Sequence, residues 1–354
     1  MVDKKDKKYL GIAGIVIIAI LGVFLLSGGT DLFAAKQANN TINAAVTKDC
    51  AGTPWFVGQE KGFFKDAGIN FVDKGEIAWA QQPAALLSGQ INVYDGHPNA
   101  VINLLKSGAK VHGVVVGDAE PLNTSLNNSE DAEHMHWLTK TNSTIKTAAD
   151  IKARAESGNK VKVAVGSTGI CADLEFNNWL RQNNLTKDNI TYVVLPDPQQ
   201  EQALQQGEID IATLHPPFYK KAETDGNVTV FLTSTQAFGP ASGLTLVVFT
   251  DDYIKKYPGT VRDFANAFKE AERWTDNNRE EAGNITAKDI GLPYTSNVHW
   301  YSKSGAIDNT TKAYLQQWID AMVADGDIKQ GEYKPEDLYT TEFSDVWKTN
   351  LPDQ

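Results

Sequence analysis

Two cysteines and two histidines are the side chains of this sequence best suited to hold a ligand. Cys50 and Cys171 are its only cysteines, and His97 and His215 each precede a proline. Thiolate and imidazole bind zinc and other borderline metals, and imidazole also donates hydrogen bonds to oxyanions. None of the four has the short spacing of a structural zinc site. They can act together only if the fold brings them together.

The two His-Pro pairs belong to an internal repeat. The segment ALLSGQINV at residues 85–93 matches ALQQGEIDI at residues 203–211, an offset of 118 residues (203 minus 85). Gln81 and Gln199 correspond at the same offset, as do the two histidines. In each copy a helix is predicted to end at glycine, a strand follows, and the histidine comes just after that strand. Ligands of open α/β sheets bind beyond the carboxyl ends of the strands, so the repeat predicts two similar lobes that face a shared cleft.

Other candidate side chains lie on loops predicted to face this cleft. Ser167 and Thr168 precede a predicted helix, where they either help to bind an anion or cap the helix. Asp95 either binds an amine or caps the next helix. His134 and His136 are expected on a strand that faces solvent or a hinge. The remaining predicted ligand-binding residues are Thr53, Trp55, Trp79, Gln81 and Gln199.

The elements that must position these residues follow from the hydrophobic pattern. From residue 43 onward, short apolar runs alternate with amphipathic stretches, which is typical of α/β folds. Strands are predicted over residues 42–46, 91–94, 111–116, 161–165, 192–195, 209–212, 228–232 and 244–249. Helices are predicted over 54–66, 79–88, 98–107, 147–155, 172–182 and 198–206, and apolar stripes predict core helices over 261–274 and 314–323.

Several longer motifs occur in a characteristic order. They are WFVGQEKGFFKDAG at 55–68, the two repeated segments, IKTAADI at 145–151 and DYIKKYP at 252–258. Over residues 43–347 their order and spacing resemble the substrate-binding proteins of ABC importers for nitrate, sulfonates and taurine, a family similar to thiamine-pyrimidine-precursor binding proteins. The resemblance implies an α/β, two-lobed periplasmic-binding-protein fold of type II, the Venus-flytrap fold.

The resemblance also implies where the lobes begin and end. Lobe one would hold residues 43–118 and 240–354, and lobe two residues 132–236. The connecting segments, 119–131 and 236–243, are rich in small and polar residues. Such segments suit hinges that absorb changes in φ and ψ when the lobes close.

The function implied by the resemblance is that of the solute-binding component of an ABC importer. Its ligand would be a small oxyanion such as a sulfonate or nitrate, and its partners the importer's permease and ATPase subunits. A monomer with no cofactor and no catalytic residues is expected. Two alternatives remain open: a metal or metal complex held by Cys50, Cys171, His97 and His215, and a thiamine-pyrimidine-precursor binding protein or related enzyme.

Charge and the N-terminal segment indicate the partners and the compartment. The net charge of −11 argues against a nucleic-acid partner. Residues 9–26 carry no charge and follow four lysines, so residues 1–30 are predicted to be a membrane anchor with the rest of the chain exported. A cleavable signal peptide is the alternative. Residues 31–42 are predicted to be a tether, and the protein is expected at the cell surface, on the outer face of the cytoplasmic membrane.

Glycosylation acceptors agree with export. The sequence holds nine Asn-x-Ser/Thr motifs, whereas its composition gives about three by chance. We therefore predict a glycoprotein modified at some of these sites. The acceptors are Asn39, Asn123, Asn127, Asn142, Asn184, Asn189, Asn227, Asn284 and Asn309.

Overall fold

Strands and helices alternate along the chain, as the apolar runs predict. The computed structural model describes residues 40–119, 133–292 and 306–347. The strands of this part are β1 (Thr41–Ala44), β2 (Asn70–Asp73), β3 (Tyr94–Gly96), β4 (Val111–Val116), β5 (His136–Lys140), β6 (Val161–Val165), β7 (Ile190–Val194), β8 (Ala212–Leu214), β9 (Val228–Thr233) and β10 (Leu246–Thr250).

Helices connect and cover these strands. They are α1 (Thr53–Glu60), α2 (Phe63–Asp66), α3 (Gln82–Ser88), α4 (Pro98–Lys106), α5 (Ala148–Glu156), α6 (Cys171–Gln182), α7 (Asp197–Gln206), α8 (Phe218–Asp225), α9 (Ser234–Phe238), α10 (Asp251–Lys256), α11 (Pro258–Asn277), α12 (Arg279–Ile290), α13 (Asn309–Asp325) and α14 (Ser344–Trp347). Short 3₁₀ turns span Cys50–Gly52, Trp79–Gln81, Lys187–Asn189, Gly239–Ala241 and Pro335–Asp337.

The predicted elements are confirmed to within a few residues in most cases, and β4 and β6 have the predicted bounds. The single helix predicted over 54–66 is instead two helices, because Gly62 has a φ of 82° that an α-helix cannot contain. The sequence pattern did not predict β2. Its end residues, Asn70 and Asp73, are polar and exposed, and its two middle residues are only partly buried.

The strands form two sets. The first strand set comprises the sheet β3-β10-β4 and the parallel pair β1-β2, and the second comprises the sheet β8-β5-β9 and the parallel pair β6-β7. A parallel bridge between Val163 and Ile211 continues the second set from β6 toward β8. The chain passes from the first set to the second after β4 and returns before β10. Whether the lobes have the limits 43–118 with 240–354, and 132–236, stays a prediction.

Aromatic packing holds the helices of the first strand set in place. On α11, the Phe264 ring lies 5.6 Å from the Trp55 ring and 5.3 Å from the Phe64 ring, measured between centroids. On α13, Trp318 is fully buried and its Nε1 donates to the Ala241 carbonyl oxygen at 2.8 Å. Both predicted apolar stripes therefore form core.

The predicted membrane anchor cannot be compared with the structure. Residues 9–26 lie outside the described part, as does most of the hinge predicted over 119–131. Within the described ranges, no helix combines the length and the apolar character needed to span a membrane.

Two buried glutamines occupy equivalent places in the two copies of the repeat. Gln82 Nε2 donates to the carbonyl oxygen of Ile77 at 3.1 Å, and Gln200 Nε2 donates to that of Leu195 at 2.9 Å, each five residues earlier. Gln200 Oε1 also accepts from the Thr213 backbone N–H at 2.7 Å. The Gln200 amide therefore joins the loop after β7 to β8.

Removing the Gln200 amide is expected to destabilise the protein, because the buried Thr213 N–H and the partly buried Leu195 carbonyl lose their partners. We predict that Gln200→Ala lowers the free energy of unfolding by about 2–4 kcal/mol. Gln199→Ala is the matched control, since Gln199 is exposed and such changes cost about 0.5 kcal/mol or less. Urea denaturation measures both. Equal stability of the two variants would contradict this role.

A buried carboxyl group joins α6 to the segment before β10. Ser242 Oγ donates to Glu175 Oε2 at 2.6 Å, and Glu175 is fully buried. Burial raises the pKa of Glu175 to about 8, although the Ser242 bond opposes the shift. The folded protein therefore holds a proton at Glu175 that the unfolded chain has released above its ordinary pKa near 4.5.

The free energy of unfolding should accordingly fall as the pH rises from about 5 to 8. Glu175→Gln removes this proton linkage and keeps an acceptor for Ser242. We predict that the variant loses about 2–4 kcal/mol less than the wild type over that range. Chemical denaturation at pH 5 and pH 8 tests this prediction. It is wrong if both proteins lose stability equally.

Candidate functional site

Three histidines and a cysteine meet between the two strand sets. His97 follows β3, His134 precedes β5, Cys171 begins α6, and His215 follows β8. The possible ligand atoms of His97, His134 and Cys171 all lie within 4.8 Å of one another. His215 Nε2 is 3.8 Å from Cys171 Sγ. We call these four residues the imidazole–thiol cluster.

The rings are close enough to act on one ligand. The centroids of His97 and His134 are 5.0 Å apart, and those of His134 and His215 are 4.9 Å apart. His97 comes from the first strand set, and the other members come from the second. A ligand bound here would contact both sets.

Hydrogen bonds on the outer side of two rings fix which nitrogen faces the cluster. His97 Nδ1 lies 2.9 Å from the carbonyl oxygen of Leu244 and must donate a hydrogen bond to it. Nε2 is therefore the ring nitrogen left to face the cluster. His215 Nδ1 lies 2.8 Å from Asp197 Oδ2, which also accepts from the His215 backbone N–H at 2.9 Å. Carbonyl and carboxylate partners of this kind orient the histidines of metal sites.

Burial determines the charge of the cluster. Desolvation lowers the pKa of His97 to about 4 and holds that of His134 well below its usual value. Desolvation also raises the pKa of the Cys171 thiol to about 11. Burial acts against a charged His215, but the Asp197 carboxylate raises its pKa well above the usual value. At neutral pH the cluster thus holds two neutral imidazoles, a thiol and an imidazolium paired with Asp197.

Aromatic side chains enclose the first-set side of the cluster. The Trp79 and Trp318 rings stack against His97, with centroids 6.1 Å and 5.4 Å away. The Trp79 ring also meets the edge of Tyr94 at 6.3 Å. Trp79 was a predicted ligand-binding residue, and it lies next to the cluster.

Buried carboxyl groups act on the cluster and on one another. Asp49 interacts electrostatically with His215, Asp95 with Asp49, and Asp118 with both Asp49 and Asp95. Desolvation raises the pKa of Asp95 to about 7. Asp49 and Asp118 are distant from Asp95 in the sequence, so it is the fold that brings these acids together.

Glycine at position 117 permits this packing of acids. A Cβ atom on Gly117 would lie 2.3 Å from Asp95 Oδ1 and 2.4 Å from Thr245 Oγ1. Asp95 Oδ2 also accepts from Trp55 Nε1 at 3.3 Å. Trp55 itself packs against Phe264 and Phe268 of α11, so it reaches the acids from the core rather than lining the cluster.

The loop predicted to cradle an anion already holds a carboxylate of the chain itself. The backbone N–H groups of Gly169 and Ile170 donate to Asp173 at 2.7 and 2.9 Å. Thr168 is exposed and Ser167 is partly exposed. Asp173 therefore satisfies the start of α6, and neither Ser167 nor Thr168 caps it.

Three other predicted ligand-binding residues lie away from the cluster contacts. Gln81 and Gln199 are exposed, while the neighbouring glutamines are the buried ones. Thr53 is fully buried, and its Oγ1 accepts from Thr286 on α12 at 2.9 Å.

Cys50 lies in the 3₁₀ turn before α1, and its side chain is outside the described part of the structure.

Sequence reasoning missed His134 and Asp197. His134 is only 2% exposed and contacts the rings of both His97 and His215, rather than facing solvent. The only sequence signal for a role of His134 was a second histidine, His136, two positions later. Asp197 opens α7 at the end of β7, and the strand-end rule that found His215 could have found it too.

Known proteins share this fold and part of the sequence. Over 152 residues the chain is 30% identical to an aliphatic sulfonates-binding protein of Escherichia coli, covering 43% of this chain and 44% of that protein. The chain spans less than half the length of the curated relatives that it matches. The periplasmic nitrate-binding protein of Synechocystis superposes with a TM-score of 0.71 at 15% identity, covering 87% of each chain.

A third structure has the same architecture. The ligand-binding component of an ABC-type import system from Staphylococcus aureus, solved with zinc bound, superposes with a TM-score of 0.69 at 11% identity and covers 87% of this chain and 98% of that one. These likenesses establish an α/β periplasmic-binding-protein fold. Residues 35–291 match the NMT1-like family, which is more than half of the 354 residues. The chain belongs to the NMT1-like family.

Proposed function

We propose that this protein is the extracytoplasmic solute-binding component of an ABC importer. The observation that carries the proposal is the position of the imidazole–thiol cluster, to which both strand sets contribute side chains. In a two-lobed binding protein, a ligand that contacts both lobes stabilises the closed form relative to the open, ligand-free form. The family and the fold support the same role.

A small oxyanion is the first candidate for the solute, since relatives are named for sulfonates and nitrate. His215 offers a charged donor, although Asp197 already binds its Nδ1. The amide groups of the 166–169 loop offer less than the sequence suggested, because Asp173 occupies two of the N–H groups at this helix start. This candidate therefore rests mainly on the relatives.

A metal ion is the second candidate, and the close approach of His97, His134 and Cys171 favours it. The donor set predicted from the sequence included Cys50; the described side chains supply His134 instead. Neutral imidazole and thiolate are the protonation states that bind metal, and two of the three rings are neutral at pH 7.

Binding fits the geometry better than catalysis does. Cys171, His215 and Asp197 are arranged in the order of a nucleophile, a base and an orienting carboxylate. A reactive cysteine needs a lowered pKa, however, and burial raises that of Cys171 to about 11. We therefore assign these residues to ligand binding, and a pyrimidine-precursor enzyme is the less favoured alternative.

Importer subunits should accompany the protein when it is isolated gently. Affinity-tagged full chain, solubilised from its native membranes in mild detergent, is expected to bring down an ABC permease and an ATPase, identified by mass spectrometry. Residues 1–42 fused to an unrelated exported domain provide the control. Recovery of intact protein without importer subunits, or with no more than the control recovers, would contradict the proposed role.

The same proposal includes export, a retained anchor over residues 1–30 and glycosylation. Among the described acceptors, the side chains of Asn142, Asn184, Asn227, Asn284 and Asn309 are exposed and available for modification. Intact-mass measurement on protein from native membranes should give a chain that still contains residues 1–30 and carries added glycan mass. An unmodified chain that begins near residue 30 would refute both parts.

A further inference from the structure

We propose that the imidazole–thiol cluster binds one divalent transition-metal ion of the zinc type, held by His97, His134, Cys171 and His215. The inference names the class of solute. Only the identification of the bound ion as the imported solute rests on the proposed function. The binding itself rests on the geometry of the four side chains.

The distances suit a single ion. Bonds of about 2.0–2.3 Å from a tetrahedral zinc place its ligand atoms about 3.3–3.6 Å apart. The possible ligand atoms of His97, His134 and Cys171 lie within 4.8 Å of one another, and His215 Nε2 is 3.8 Å from Cys171 Sγ. The ligand atoms of His97, His134 and Cys171 would need to approach one another by about 1 Å, and His215 Nε2 and Cys171 Sγ by a few tenths of an ångström. A sulfonate or another polyatomic anion would have to push the rings apart.

The ligand types select the class of ion. Three imidazoles and a thiolate suit zinc and similar borderline ions, whereas magnesium and calcium prefer oxygen ligands. The carbonyl of Leu244 and the carboxylate of Asp197 already orient two of the rings from behind. Such outer partners are usual in histidine–metal sites.

The charges around the cluster favour a cation. Asp49 and Glu175 both interact with His215, and Asp197 binds it directly. Asp95 and Asp118 extend this group of buried acids within the first strand set. The Asp197 carboxylate would attract a divalent cation, and the buried carboxyl groups offer an anion no positive partner.

The test uses the full chain, with endogenous metal removed by chelation. Calorimetry with Zn²⁺ should give one ion per chain, and Co²⁺ should give the intense visible bands of a tetrahedral site together with a thiolate-to-cobalt charge-transfer band. His134→Ala and Cys171→Ser should each weaken Zn²⁺ binding more than about 100-fold, and Asp197→Asn, which alters only a positioning residue, about 10–100-fold. At saturating Co²⁺, the charge-transfer band should be absent in Cys171→Ser and present in His134→Ala.

His112→Ala is the matched control, because His112 lies on β4 and pairs with Asp251 instead of joining the cluster. It should bind Zn²⁺ like the wild type. Circular dichroism checks that each variant folds, and His134→Gln replaces His134→Ala if that variant does not. Mg²⁺, Ca²⁺, nitrate and an alkanesulfonate serve as competing ligands in the same measurement.

The proposal is overturned if Zn²⁺ fails to bind, or if His134→Ala and Cys171→Ser bind it as tightly as the wild type does. It is equally overturned if nitrate or the sulfonate binds through His134 and Zn²⁺ does not bind. In that case, importer subunits recovered in the pull-down would still support the proposed solute-binding function. Tight, cluster-dependent Zn²⁺ binding in a protein that recovers no importer would support the metal site and refute its transport role.

Discussion

The burial of three imidazole rings at one point between the strand sets is the constraint on which the site depends. Desolvation disfavours the charged form of histidine, so each ring must be neutral or have a carboxylate partner. His97 is neutral and donates to the Leu244 carbonyl, while His215 pairs with Asp197. These bonds connect the cluster to the segment before β10 and to the start of α7. The ring orientations are therefore set by the fold before any ligand arrives.

The internal repeat explains how two distant parts of the chain deliver matching groups to this point. Gln82 and Gln200 make the same bond to a carbonyl five residues earlier, so the loop before each repeated helix has a similar local connection. The histidines at positions 97 and 215 then follow the next strand in each copy. The copies differ in what surrounds the ring: Trp79 and Trp318 stack on His97, whereas Asp197 binds His215.

Much of this arrangement could be predicted from the sequence, because it depends on local pattern. The strand-end rule identified His97 and His215, and hydrophobic periodicity identified the helices that carry Phe264 and Trp318. The pattern could not reveal contacts between segments far apart in the chain. His134 was expected on a strand that faces solvent or a hinge, and the pairing of β5 between β8 and β9 places it inside.

The anion loop is a second instance of this limit. Ser167 and Thr168 were expected either to help bind an anion or to cap the helix, but Asp173, a few residues further along, occupies two of the N–H groups. The chemical consequence is substantial, since the site loses anion donors while Asp49, Asp95 and Asp118 add acidity. The family and its fold support the proposed general role, and these particular side chains are the basis for the proposed ligand.

The central claim is that the ligand of this protein contacts the imidazole–thiol cluster. The most direct measurement is a crystal structure of the full chain purified from native cells without chelators, with anomalous diffraction recorded on both sides of the zinc absorption edge. One anomalous peak is expected, bounded by His97 Nε2, Cys171 Sγ, His215 Nε2 and the His134 ring. Ligand density elsewhere in the protein, with no ligand among these four side chains, would contradict this expectation.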